Sequence, residues 1–316
     1  MKLLEVKNLH VNYLSRNGKV KAVNGVNFNV SKGEVLGIVG ESGCGKTTLA
    51  KALVRIIKPP CNIENGEIYL NGQNLLLLNH EEMRRIRLNK LSVIPQGSMN
   101  SLNPVKRISS QLSDGILAHD VSYTKKDILV RINKLLEMVG LNKDISNKFP
   151  HELSGGMKQR VCIAMAVSLN PDLIIADEFT SALDVVVQRV VVQTLKKIVK
   201  DLNLSLISIG HNMGLQAQLA DRVAIIYGGR IAEIGDVKNI YFDPLHPYTQ
   251  VLIGSVPTIE SHKKLKSIGG FPPSLLNPPS GCIFHPRCPN KKKECSETIP
   301  MIKEIKPGRM VACHLY

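Results

Sequence analysis

A chain of 316 residues that is 43% hydrophobic is long enough to bury a full core, as one large domain with an appendage or two modest ones. No apolar run approaches the roughly 18 to 20 residues of a membrane-spanning helix, and the opening MKLLEVKNLHVNY lacks the apolar centre of a signal peptide, so a cytosolic protein is expected. The formal charge of +15 is compatible with nucleic acid, anionic lipid and phosphorylated ligands and does not choose among them.

In chain order, short Val- and Ile-rich runs alternate with helical patterns: Val35 to Val39, Leu91 to Ile94, Leu173 to Ala176 and Leu206 to Ile209. That rhythm predicts an α/β domain with a largely parallel sheet. Leu49, Leu53, Ile56 and Ile57 follow the first run at helical spacing, and Pro59-Pro60 is expected to end that helix. The run Leu75 to Leu78 reads as a short buried segment. Near residue 222 the pattern becomes RVAIIYGGRIAEIG, two alternating strands about a Gly228-Gly229 turn. The proline-rich stretch 241 to 281 predicts an extended connection, which puts a boundary near residue 240 and divides the chain into 1–240 and 241–316. The tail is its own compositional unit: from residue 261 onward, ten Lys or Arg stand against three Asp or Glu.

Residues Gly40 to Thr48, GESGCGKTT, have the spacing of a phosphate-binding loop between a strand and a helix. Gly40, Gly43 and Gly45 let backbone N–H groups wrap phosphates, with Ser42 between them; Lys46 adds a point charge, and Thr47 offers a hydroxyl to Mg²⁺, with Thr48 following. Cys44 reads as a small loop residue with no redox role. The run LIIADE ends in two acids: Asp177 to hold the metal, Glu178 to polarise the attacking water. Ser154, Gly155 and Gly156 open a further helix whose N–H groups can bind an anion.

Together these motifs resemble the ABC ATPases. LSGGMKQR, from Leu153 to Arg160 and just before LIIADE, is similar to that family's signature sequence. The resemblance covers roughly residues 1–240. It implies a P-loop NTPase with a RecA-like core, an antiparallel β subdomain and a helical subdomain over about 97–165, the Cys-rich extension being additional. It further implies that Tyr13 stacks on adenine, Gln96 touches Mg²⁺ and water, Ser181, Ala182, Leu183 and Asp184 form the D-loop, and His211 contacts the γ-phosphate. Ser154, Gly155, Gly156 and Gln159 would meet the ATP of a partner subunit, so that ATP is sandwiched between two chains. Two positions depart from the family pattern: Phe179 stands where proline is usual, and Asn212 where aspartate is common.

A narrower resemblance comes from MNSLNP after Gln96, HPYTQVLIGSVP at 246–257, GCIFHPRCP and ACHLY, which look like the ATP-binding subunits of dipeptide, oligopeptide and nickel importers. That family implies a heterodimer with a second ATPase, beneath two permease subunits and served by an extracellular binding protein, at the cytoplasmic face of the membrane. It also implies a [4Fe–4S] cluster on Cys282, Cys288, Cys295 and Cys313. From their spacing alone, four thiolates without a CxxC pair suit zinc or an iron–sulfur cluster. His285 and His314 flank them. The cofactors expected are ATP, Mg²⁺ and the cluster. The alternative function is a soluble ABC ATPase acting on nucleic acid or in iron–sulfur assembly; the tail lacks interleaved aromatics for base stacking, so nucleic acid is not expected.

Overall fold

The structure is a computed structural model that describes residues 1–119, 122–255 and 269–316. Its elements are, in order, β1 Lys2–Ser15, β2 Gly18–Ser31, β3 Val35–Val39, α1 Lys46–Leu53, β4 Cys61–Leu70, β5 Gln73–Asn74, α2 His80–Ile86, β6 Leu91–Ile94, α3 Ile108–Leu117, α4 Lys125–Met138 and α5 Gly155–Ala166. There follow β7 Leu173–Asp177, α6 Val185–Asp201, β8 Ser205–Gly210, α7 Met213–Leu219, β9 Arg222–Tyr227, β10 Arg230–Asp236, α8 Val237–Phe242, α9 Pro247–Gly254, α10 Glu294–Glu297, β11 Lys303–Lys306 and β12 Arg309–Val311. They divide into two compact units.

One unit comprises Met1, Ser31–Glu34 and Leu77–Ile207. Strand β7, LIIAD, is buried at every position, as expected for a parallel strand covered on both faces. It pairs in parallel with β6, Leu91 opposite Leu173 and Ile94 opposite Ala176. Helix α5 packs on β6, and α3, α4 and α6 pack on α5. Helix α4 starts at a reciprocal capping box between Thr124 and Asp127 and buries Ile128, Ile132, Leu135 and Leu136, a stripe at helical spacing.

The other unit comprises Lys2–Val30, Val35–Leu76 and Ser208–Tyr316. It holds an antiparallel sheet of order β2-β1-β4-β5 and a second run of strands, β11-β12-β10-β9-β3, in which β3 and β9 are parallel and the others antiparallel. Gly228 and Gly229 both take positive φ, 54° and 78°, at the turn between β9 and β10. The tail strands β11 and β12 extend the same run, with Val311 opposite Glu233.

Three expectations need correction. Helix α1 does not run on to Pro59-Pro60: it stops at Leu53 because Arg55 turns left-handed at φ 52°, its N–H reaching the Ala52 carbonyl and that of Ile56 the Lys51 carbonyl. In the leucine run only Leu75 is buried, and Leu77 is 82% exposed. Residues 269–281 carry no helix or strand, but the expected extended connection is interrupted earlier by α8 and by α9, in which Pro247 takes the first turn, where its missing N–H costs nothing. Val256 and Pro257, the end of HPYTQVLIGSVP, lie outside the described residues.

Candidate nucleotide site

In the second unit, β3 ends at Val39 and the chain turns through residues 40–45 into α1. Two glycines there are dictated by space. A Cβ on Gly40 would lie 2.1 Å from the Ile226 carbonyl oxygen, and one on Gly45, whose φ is 103°, would lie 1.9 Å from that of Ala22. Gly45 caps α1 without a side chain, so the first N–H groups of the helix keep their capacity for an anion.

Lys46 is 5% exposed, and its ammonium donates to the carbonyls of Gly40 at 2.8 Å and Glu41 at 2.9 Å. The loop thus already surrounds a positive charge. Burial raises the Cys44 thiol above its ordinary range, in keeping with a packing role. Tyr13 is half-buried with its hydroxyl 3.1 Å from Thr48 Oγ1. His211 is exposed beyond β8, and Asn212, the departure from aspartate, accepts the Leu215 amide at 3.1 Å and so caps α7.

The first unit gathers the acids. The β6–β7 register sets Gln96 and Glu178 each two residues past the pair Ile94 and Ala176, and Gln96 Nε2 donates to Glu178 Oε2 at 2.9 Å. Asp177 is buried, whereas Glu178 is half-buried with φ 43°, a left-handed conformation that holds its carboxylate off the strand direction. Phe179, in the place of the usual proline, is 4% exposed and fills the core.

Ser154 caps α5 by accepting the Met157 amide, and both Ser154 and Gly155 are exposed. Gly156 is buried; a Cβ there would meet Val187 Cγ1 at 2.5 Å. Gln159 is a correction: it is 2% exposed, its Oε1 accepting from Ser98 Oγ at 2.9 Å, and so turns inward rather than facing a partner's ATP. Ser181 and Ala182 are exposed, Leu183 is half-buried, and Asp184 caps α6 through the Val187 amide. Beyond it Val185 and Val186 are 81% and 75% exposed.

All four tail cysteines are free thiols. Burial first, then the neighbouring Cys295, Cys313 and Cys288, push Cys282 up to about 11, and Cys288 and Cys313 are raised in the same way. The Cys282 amide also donates to the Cys295 carbonyl at 2.8 Å. Yet among the described residues no three His, Cys, Asp or Glu side chains form a group that could hold a metal ion. Among the described residues neither a zinc site nor a cluster site is formed. His285 and His314 are engaged elsewhere, on the Cys282 carbonyl and on Glu294 with the Thr298 carbonyl.

Sequence reasoning missed Glu41, Tyr227, Tyr248 and Arg287. Arg287 holds the Glu41 carboxylate with two nitrogens, at 2.9 and 3.1 Å, and the Tyr248 hydroxyl accepts the Glu41 amide at 3.0 Å. Only the unassigned Glu41 in the loop and Arg287 in HPRCP could have drawn notice, and nothing local links them. A cavity of about 260 Å³ in the same unit, lined by His10, Arg230, Cys282 and Met301 among others, does not touch the loop.

Residues 23–181 match the family model described as ABC transporter, and residues 232–295 match the C-terminal region of oligopeptide/dipeptide transporters. A dipeptide transport ATP-binding protein DppD of Caldanaerobacter subterraneus subsp. tengcongensis is 40% identical over 99% of this chain and 97% of its own. The chain belongs to the ABC transporter family. It is an ATP-binding, ATP-hydrolysing member with the P-loop NTPase fold. The oligopeptide transport ATP-binding protein OppD of Bacillus subtilis is 44% identical over 90% of this ABC chain and 80% of its own. Among solved structures, the dimeric ATP-binding cassette MJ0796 in a post-hydrolysis state with ADP and Pi is similar at a TM-score of 0.67 and 26% identity, covering 74% of the ABC chain and 99% of that one.

Proposed function

We propose that this ABC subunit is the motor of an importer for di- or oligopeptides, working as a head-to-tail pair with a second ATPase, beneath two permease subunits and an extracellular binding protein, at the cytoplasmic face of the membrane. The observation that carries the pairing is that one chain presents two anion-binding helix starts: the loop into α1, and the exposed Ser154-Gly155 start of α5. A single ATP needs one of each. The exposed Val185 and Val186 next to the D-loop support a partner there. No helix among the described residues is long and apolar enough to cross a membrane, so membrane attachment is assigned to the permeases. For the chain segments we retain 1–240 as the cassette, with a helical part over 97–165, and 241–316 as the extension.

In this reading Tyr13 stacks on adenine, residues 40–48 wrap the phosphates, and Lys46 leaves the Gly40 and Glu41 carbonyls to meet the γ-phosphate. Mg²⁺, when bound, neutralises phosphate charge, and Thr47, Gln96 and Asp177 would hold it. Glu178 orients water with Gln96 hydrogen-bonded to it, His211 senses the γ-phosphate, and the partner's ATP meets Ser154, Gly155 and the amide of Gly156, with residues 181–184 alongside. Catalysis is chiefly positioning and charge stabilisation. We infer further that Cys282, Cys288, Cys295 and Cys313 hold a [4Fe–4S] cluster that ties four points of the tail together. Anaerobically purified protein should then absorb at about 400 nm and lose that band, with its iron and sulfide, on Cys295→Ser.

The test of the motor is Glu178→Gln in the complete transporter. Loss of the water-polarising carboxylate should slow ATP hydrolysis by about 10²–10⁴-fold and leave ATP trapped in a closed dimer. Unimpaired turnover would overturn the assignment. Uptake of a labelled dipeptide by vesicles bearing the complex, abolished by that substitution, tests the cargo.

A further inference from the structure

The second unit carries a charge pair that the ATPase reading does not use. Glu41 is an acid inside a loop built to hold phosphates. Left alone, its carboxylate would repel the nucleotide. It is not left alone: Arg287 Nη1 and Nη2 grip its two oxygens, and the side chains of the pair are 7% and 23% exposed for Arg287 and Glu41 respectively. The guanidinium is fixed in turn, since Nε donates to the Gly269 carbonyl at 2.8 Å and Nη1 also to the Tyr227 hydroxyl at 3.1 Å. Tyr227 packs against Tyr248 and Phe284, with ring centroids 4.5 and 5.1 Å away.

The Glu41 backbone is held as well. Its amide donates to the Tyr248 hydroxyl, and its carbonyl accepts from Lys46 Nζ and from the Cys44 amide at 3.3 Å. One residue thus joins the tail, the aromatic cluster and the lysine of the loop. A planar guanidinium bound to both carboxylate oxygens fixes orientation as well as charge.

We propose that Arg287, from the C-terminal extension, is a positioning residue for ATP binding: it neutralises and orients Glu41 so that the phosphate loop is set for nucleotide. This rests on reading residues 40–48 as the ATP loop. The arginine touches neither ATP nor water in this role; it acts through Glu41. Its loss should therefore weaken nucleotide binding and leave the chemical step nearly untouched.

The experiment is a double-mutant cycle in the assembled transporter, read as KM for ATP and kcat, with circular dichroism and melting temperature as folding checks. Arg287→Gln, leaving Glu41 unpaired, should raise KM by about tenfold with kcat within about twofold. Adding Glu41→Gln should recover most of that loss, because the repelling charge is then gone. Arg287→Lys, a point charge that cannot span both oxygens, should raise KM by about threefold. It carries the test if Arg287→Gln does not fold. An unchanged KM in Arg287→Lys, or a double variant worse than Arg287→Gln alone, overturns the proposal. Lys46→Ala separates the two readings: if it binds ATP like the unaltered protein, the ATP loop itself is misassigned; if it loses ATP while the Arg287 variants bind normally, only the proposed tether fails.

Discussion

His246 gives a pH dependence that can be worked out from its surroundings. It caps α9, with Nδ1 accepting the Tyr248 amide at 3.0 Å, and its ring also hydrogen-bonds the Ala312 backbone. At 3% exposed, it is pushed down by burial to about 4. Protonating Nδ1 would set two donors against each other. The nearby Glu233 carboxylate is committed to the Leu245 and His246 amides and to Arg309. Because the unfolded chain binds this proton near 6.5 and the folded one only near 4, unfolding takes up a proton between those values, so stability rises with pH across that window. Linkage gives about 2 kcal/mol lost from pH 7 to pH 5, and about 3 kcal/mol by pH 4. Other groups titrate too, so the measurement is a difference. In His246→Asn, which keeps a capping oxygen, urea unfolding followed by circular dichroism should show a stability gap from the unaltered protein that narrows by about 2 kcal/mol between pH 7 and pH 5. A gap that stays constant refutes the reasoning.

Gly45→Ala should weaken ATP binding by at least about tenfold in a titration with ATP, since its Cβ would strike backbone that cannot yield without moving the loop. Gly156→Ala should cost about 1–3 kcal/mol by overpacking Val187, and Val187→Ala in the same chain should restore most of it in thermal melts. Arg309→Met should destabilise by about 3 kcal/mol in urea, because it strips the fully buried Glu233 of its charge partner, 3.1 Å away.

The fold was legible in the sequence wherever it is local. GESGCGKTT falls where β3 turns into α1, LIIADE along β7 and LSGGMKQR at the start of α5, and the runs 35–39, 91–94, 173–176 and 206–209 all lie in strands. The Gly228-Gly229 turn was legible because only residues tolerant of positive φ close so tight a hairpin. What escaped depends on distance along the chain. Gln159 sits in a recognisable motif, but its inward rotation is set by Ser98 on another segment. The end of α1 was misread because a left-handed Arg55 has no compositional mark, whereas Pro59-Pro60 does. The pairs Glu41 with Arg287 and Glu233 with Arg309 join ordinary charged residues that no spacing rule connects.

Those pairs bear on how the molecule is made. Arg287 stands 246 positions after the glutamate it completes, and Arg309 stands 76 after Glu233. A ribosome delivers the chain from its N-terminus, and contacts so remote in sequence form only after the intervening segment has emerged. The nucleotide loop, among the first parts to be synthesised, is consequently among the last to be finished. A nascent chain halted before residue 287 carries every residue of GESGCGKTT and still lacks the guanidinium that pairs with Glu41.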